Sequence, residues 1–286
     1  MNKMKIKEAE IHVTDECPHD CIFCSVKKHP ESTPSIKKIK KNIRLSKPFK
    51  KLIISGGEPL LRKDIVEIIR FAKEKQKYII LETNFIMLNN NLLNKIIDSG
   101  LNEIKISFHS HNRLKYQKIT KSKNFDKLIN NMNLLKKYKK KIKVSTNTVI
   151  TKYNHLHLYD ITKFLNKNYP FIKEMRISYP RFYPIKGRNN YSKPYLVPLQ
   201  ELRLLLKKVK GKDVIFENIP LCILNDKRAE KVNWDIKLIK NGKIFNDLEG
   251  RYFQKKCESC KKKEKCQGLH KHYFLYFDDG FVKPFK

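Results

Sequence analysis

The residues able to do chemistry in this 286-residue chain are first of all its seven cysteines, which fall into two groups. Cys17, Cys21 and Cys24 stand in CPHDCIFC, a CxxxCxxC spacing that puts three thiolates on one short loop. A structural zinc site asks for four ligands, usually as two paired knuckles, so zinc would need a fourth from elsewhere, with His19 on offer inside the loop. Three thiolates suit a four-iron cluster better, one per iron, leaving the fourth iron open to a substrate or cofactor. The second group, Cys222, Cys257, Cys260 and Cys266, occurs in PLC and CESCKKKEKCQG. Four thiolates fully ligate one further four-iron cluster, with tetrahedral zinc as the alternative.

Polar and glycine residues gather where strands are expected to end. Gly56, Gly57, Glu58 and Pro59 follow the apolar run KLIIS, with glycines that permit close backbone approach and a proline that fixes the turn. Thr83 and Asn84 close YIILETN, Ser107 and His109 close EIKISFHS, and Asn147 lies in IKVSTNTVI. His155 and His157 fall on an amphipathic helix and read as exposed or structural.

These positions follow from an alternation of patterns along the chain. Strands are expected at 9–14, 51–55, 78–84, 103–110, 142–150 and 172–180. Helical spacing fills 32–45, 64–76 with Asp64 as N-cap, 91–100 stopped by Gly100, 124–138 and 155–167. Repeated βαβ units imply a right-handed parallel sheet with its ligands at the carboxyl ends of the strands. A closed eight-unit barrel takes about 250 residues, so six strands in about 180 predict an incomplete barrel. After Pro180 the pattern breaks into a Pro-, Gly- and Asn-bearing connection, a helix at 198–210, a strand at 214–220 and a polar cysteine-bearing tail. The expected division is 1–190 and 191–286.

Composition limits the function classes. No run of about 18 apolar residues exists to span a membrane, and the N-terminus lacks the apolar stretch of a signal peptide, so the expected compartment is the cytoplasm and the cysteines are thiols or ligands. The net charge of +35 suits a polyanion such as transfer RNA. Yet the excess is lysine spread along the whole chain, with Asn and Ile also abundant, which reads as a coding bias rather than a dedicated nucleic-acid surface.

CPHDCIFC followed by a strand ending in GGEP resembles the radical S-adenosylmethionine superfamily, and the resemblance covers roughly residues 8–180. It implies a partial (β/α)6 barrel in which Cys17, Cys21 and Cys24 hold a four-iron four-sulfur cluster. The open iron would chelate the amino and carboxylate groups of S-adenosylmethionine, whose reductive cleavage yields a 5'-deoxyadenosyl radical that abstracts hydrogen from a substrate. Under that resemblance Phe23 lies at the adenine edge, Gly56 to Pro59 approach the cofactor with Glu58 accepting from its ammonium, and Ser107, His109 and Asn147 contact ribose or carboxylate. Thr83 and Asn84 match a TN motif whose following glycine is Phe85 here. The tail resembles the twitch module, or a shortened SPASM module, holding a second, auxiliary four-iron cluster, although the longer SPASM cysteine pattern is absent. An external one-electron donor such as flavodoxin or ferredoxin is implied.

SFHS, NTVITKYN and the PLC-to-CxxC tail resemble peptide- or protein-modifying maturases, so such a substrate is expected first. No N-terminal winged-helix recognition domain is expected before residue 8, so a separate recognition protein is one expectation for such a substrate. The alternatives are a small metabolite, modification of RNA, and a zinc-stabilised binding protein without catalysis.

Overall fold

The computed structural model describes residues 8–24, 26, 33–180, 195–209, 211, 213–224, 236–246, 251–278, 280 and 282–286. The boundary expected near residue 190 lies outside them.

The first strand, β1 (Glu8–His12), leads into the cysteine loop, and the chain then alternates. In order come α1 (Ile36–Leu45), β2 (Lys51–Ser55), α2 (Ile65–Lys75), β3 (Ile79–Thr83), α3 (Asn90–Asp98), β4 (Glu103–Ser107), α4 (Arg113–Thr120) and α5 (Phe125–Leu134). These are followed by β5 (Lys143–Val149), α6 (Leu158–Asn168), β6 (Glu174–Ser178), α7 (Leu199–Lys208), β7 (Val214–Glu217) and α8 (Leu221–Leu224). The hairpin β8 (Ile236–Lys240) and β9 (Lys243–Asn246) precedes a small ribbon of β10 (Arg251–Tyr252) and β11 (Leu269–His270).

One nine-stranded sheet runs β7-β6-β5-β4-β3-β2-β1-β8-β9, parallel throughout except for the antiparallel β8–β9 pair. Its convex face carries Ala9, Ile11, Leu52, Ile54, Ile104, Ile106 and Ile177, all buried under the helices. The helices answer with apolar stripes, such as Ile65, Ile68, Ile69 and Ala72 on α2, spaced so that one face of a 3.6-residue turn is covered.

The concave face is built differently. On β1, β4, β5 and β6 the positions that alternate with the core are charged or polar, Glu8 and Glu10, Glu103 and Lys105, Lys143 and Ser145, Glu174 and Arg176, while Ile53, Ile80 and Ile236 form an apolar patch on the same face. At the amino end ion pairs close it, with Lys51 3.0 Å from Glu8 and Lys143 3.0 Å from Glu103, which also accepts from the Tyr78 hydroxyl at 2.8 Å and the Ser145 hydroxyl at 2.5 Å. The carboxyl end is open.

All six strands expected before Pro180, and the one at 214–220, are present in the order read from the sequence. Three features differ from the expectations. α4 falls between the expected strand at 103–110 and helix at 124–138, where the polar stretch RLKYQKIT carries little apolar periodicity; it is held by the Asn112 cap, whose side chain accepts from Lys115 N–H. Asp64 occupies the N-cap position of α2 without capping it, because Arg62 takes both carboxylate oxygens at 2.7 and 2.6 Å. The tail, expected to be short and polar, supplies β8, which lies parallel to β1, and the β8–β9 turn is tied to α1 by Gly242 N–H donating to Asn42 at 3.0 Å.

Candidate active site

The loop after β1 is held by backbone from two sides. Gly57 N–H donates to Thr14 O at 2.6 Å and Glu58 N–H to Glu16 O at 2.7 Å, while Asp20 and Ile22 N–H reach the Thr120 and Ile119 carbonyls of α4, each at 3.0 Å. Both glycines are required by this contact. Gly56 has φ +131°, and a Cβ on Gly57 would lie 2.0 Å from Glu16 O. The close approach made by this glycine pair is therefore to the cysteine loop itself.

Glu58 points away from the open end. Its carboxyl is wholly buried and accepts from Thr83 Oγ1 at 2.6 Å, Leu60 N–H at 3.0 Å and Asn84 N–H at 2.7 Å. Burial pushes it up to about 7 against the pull of those three donors. It thereby locks the TN turn to the GGEP turn, and neither it nor Pro59 lines the cavity described next.

A cavity of about 220 Å³ opens at the carboxyl ends of the strands. Cys17, Cys21, Cys24, Phe23, Gly56, Gly57, Thr83, Asn84, Ser107, His109 and Asn147 all line it, so the structure brings together every first-domain residue singled out from sequence except Glu58 and Pro59. Cys17 Sγ accepts from His19 N–H at 3.4 Å and from Asn84 Nδ2 at 3.7 Å. Phe23 meets the His109 ring edge-on at 4.7 Å. His109 Nδ1 accepts from Val149 N–H at 3.2 Å, and burial, with His19 nearby, pushes the ring down to about 3; it is neutral with its proton on Nε2. His19 is also buried, its Nε2 3.2 Å from the Tyr116 hydroxyl. His155 and His157 stand apart, against Lys152 O and Asp160.

Below this rim the lining is ionic. Glu10 accepts from Ser55 Oγ at 2.6 Å, Lys105 lies 3.8 Å from Glu82, and Arg176 bridges Glu174 at 2.9 Å and Glu217 at 3.3 Å. Desolvation raises Glu82 despite Lys105 beside it. Glu10, Glu82, Lys105, Arg176, Ser178 and Glu217 all line the cavity and were missed in the sequence reading. For Glu10, Lys105, Arg176 and Ser178 the signal is the period-two alternation of polar with apolar residues in EAEIH, EIKIS and EMRIS, strands whose parallel pairing would otherwise make them continuously apolar.

The second cysteine set also converges. Cys222 on α8 and Cys257, Cys260 and Cys266 of the tail line one small pocket with Leu221, Phe253 and Phe285. Cys266 Sγ accepts from Gly268 N–H and Cys260 Sγ from Phe285 N–H, each at 3.4 Å. Burial first, then the neighbouring thiols Cys266 and Cys257, pushes Cys222 up to about 11. Asn218 N–H, in the wall of the large cavity, donates at 3.1 Å to Gln267, so the two sites abut.

Both donor sets fit iron-sulfur ligation by their chemistry. None of the seven cysteines is in a disulfide; the first three share one cavity wall with N–H donors on a sulfur, and the other four share an apolar pocket where bound metal would displace the thiol protons. Among the described residues no three His, Cys, Asp or Glu close on one point as the ligands of a single ion would.

Comparison with known proteins agrees with this geometry. The solved Streptococcus suis SuiB bound to S-adenosylmethionine superposes with a TM-score of 0.70 over 97% of this chain and 77% of that one, at 15% identity. The anSMEcpe structure with bound AdoMet and Kp18Cys peptide gives 0.57 over 97% and 92%, at 16% identity. In sequence, a "Probable GTP 3',8-cyclase" of Methanocaldococcus jannaschii is 38% identical over 132 residues, 44% of each chain, and its Pyrococcus abyssi namesake 27% identical over 214 residues, 70% of this chain and 69% of that one. The match thus spans less than half the length of the first of these relatives. The family model described as "Radical SAM superfamily" matches residues 11–165, more than half of the sequence, and with the three-cysteine loop and the open parallel sheet it shows that the chain belongs to the radical SAM superfamily.

Proposed function

We propose that this radical SAM enzyme acts on a small polar metabolite, with a purine nucleotide as the first class to test. The ionic lining of the cavity carries the reading. Glu10, Glu82 and Glu217 with Lys105 and Arg176 offer paired acceptors and donors beneath the cysteine loop, where a compact ligand rich in N–H and oxygen groups exchanges water for fixed partners. The relatives named GTP 3',8-cyclase support the same class. A peptide or protein, the first expectation from sequence, has on its side the resemblance of SFHS, NTVITKYN and the tail to maturases and the shared fold of SuiB and anSMEcpe, at 15% and 16% identity.

When bound, the first cluster and S-adenosylmethionine supply a 5'-deoxyadenosyl radical. Cys17, Cys21 and Cys24 hold that cluster in this reading, the Gly56–Gly57 turn keeps their loop against the sheet, Asn84 and His19 N–H groups support Cys17, and neutral His109 offers its Nε2 proton at the rim. Cys222, Cys257, Cys260 and Cys266 hold a second, auxiliary cluster against the cavity wall. The electron comes from a small carrier of the flavodoxin or ferredoxin kind.

Anaerobic reconstitution tests this. About eight irons and eight sulfides per chain are expected for two four-iron clusters. Addition of GTP should raise 5'-deoxyadenosine formation above the uncoupled rate and produce a new nucleotide, and Cys17→Ala should abolish both while leaving the absorbance of the second cluster. Stimulation by peptides but not nucleotides would overturn the substrate class; two zincs in a colourless protein would overturn the cluster assignment.

A further inference from the structure

α4 does two jobs on opposite faces. Its inner face is part of the cysteine-loop mounting: Tyr116 reaches His19, and the Ile119 and Thr120 carbonyls accept from Ile22 and Asp20, the residues flanking Cys21. Its outer face looks to solvent. Leu114 is 68% exposed, and on the neighbouring segment leading into α6 Leu156 is 63% and Tyr159 45% exposed, beside an exposed Tyr153. The two segments touch, with Lys118 Nζ 6.0 Å from the Tyr153 ring centre.

The charge around these apolar groups is one-sided. Lys115 and Lys118 project from α4, and Lys152 stands on the facing segment. Of the acids close by, Asp126 takes Arg113 through both oxygens, and Asp160, 3.3 Å from His157 Nδ1, is outnumbered by the three lysines. The result is an apolar centre with a cationic rim, the complement of a small acidic protein.

We infer that the outer face of α4, with the segment carrying Tyr153, Leu156 and Tyr159, is the docking surface for an acidic one-electron carrier that reduces the first cluster. The inference rests on the reading that Cys17, Cys21 and Cys24 hold a cluster. Its location is what singles this surface out among the many lysines of the chain. A helix is about 10–12 Å across with its side chains, so a carrier seated on Leu114 is separated from the cysteine loop by the thickness of α4 alone. Tyr116 and His19 fill that thickness with a hydrogen-bonded path.

The test uses the anaerobically reconstituted enzyme and an acidic flavodoxin. Flavodoxin affinity is measured by calorimetry, and 5'-deoxyadenosine formation is measured with either reduced flavodoxin or dithionite as donor. The triple reversal Lys115→Glu/Lys118→Glu/Lys152→Glu should weaken flavodoxin binding by about tenfold or more and flatten its salt dependence. Flavodoxin-driven cleavage should fall in step, with the dithionite-driven rate within about twofold of wild type. Lys207→Glu/Lys208→Glu, in the last turn of α7 and therefore at the amino end of the sheet, should change binding less than about threefold.

Equal weakening by both sets would mean diffuse charge attraction and would overturn the inference, as would unchanged or undetectable flavodoxin binding. A change in self-association in sedimentation without a change in flavodoxin affinity would assign the surface to a second copy instead. The affinity measurement decides even where a variant loads iron poorly. Absence of dithionite-driven cleavage by the wild-type protein would be a failure of the cluster reading, not of the docking surface.

Discussion

At the scale of single residues, Glu58 changes its meaning between sequence and structure. A glutamate after two glycines reads as a ligand-facing acceptor; here its three donors come from the TN turn and from its own turn, and it is sealed from solvent. Its carboxyl, raised to about 7 by burial, binds a proton more tightly folded than unfolded. It therefore adds stability at low pH that is lost as pH rises toward 7, over a window from about 4.5 to 7. The stability of wild type relative to Glu58→Gln, from urea denaturation of the metal-free protein, should fall by about 2 kcal/mol between pH 5 and pH 7.5. A difference that does not change with pH would mean the carboxylate is ionised throughout. Phe85 is the second such residue. It holds φ +64°, the left-handed turn that favours glycine, at a cost of about 1–2 kcal/mol, and burial of the whole ring, worth about 2–3 kcal/mol, offsets it. The departure from a TN-glycine motif thus alters the side chain and keeps the turn.

At the scale of elements, the site depends on two turns pressed backbone to backbone. Alanine at Gly57 has nowhere to put its Cβ, because the obstruction is the Glu16 carbonyl and not a flexible side chain. Gly57→Ala is expected to cost at least about 2 kcal/mol and to cut the iron retained by the first site, measured by denaturation and by iron counting. Unchanged values for both would mean the loop has another mounting. The strands and their order were legible because buried parallel strands and amphipathic helices leave opposite periodicities in the sequence. The rim residues were legible because cysteine spacing and strand-end polar groups are local features. The ionic floor was less so: its members are single charges on five different strands, and only the sheet register brings Glu82 beside Lys105 or Ser178 beside Glu217. α4 escaped because its job is to carry a loop and not to cover a core, so it lacks an apolar stripe. β8 escaped because nothing local says which strand a late apolar run will join.

At the scale of the whole molecule, the residues after 195 are woven into the barrel. β7 extends the sheet beyond β6, α8 hands Cys222 to the auxiliary set, Tyr273 accepts from Leu199 N–H at 3.1 Å, and Gln267 accepts from Asn218. Cys260→Ala should remove roughly half of the iron, spare S-adenosylmethionine cleavage and impair turnover of the substrate. Loss of cleavage as well would mean that the two sites do not load independently. The charge of +35 is likewise a property of the whole, since its lysines are spread along the entire sequence.

The placement of β8 beside β1 also sets an order in time. A ribosome making this chain releases the cysteine loop early, on a strand with one side still unpaired, and more than two hundred residues must follow before Ile236–Lys240 can close that side. Until then β1 is an edge open to other chains. The pairing that seals the cysteine-bearing strand is therefore the last parallel one the chain can make.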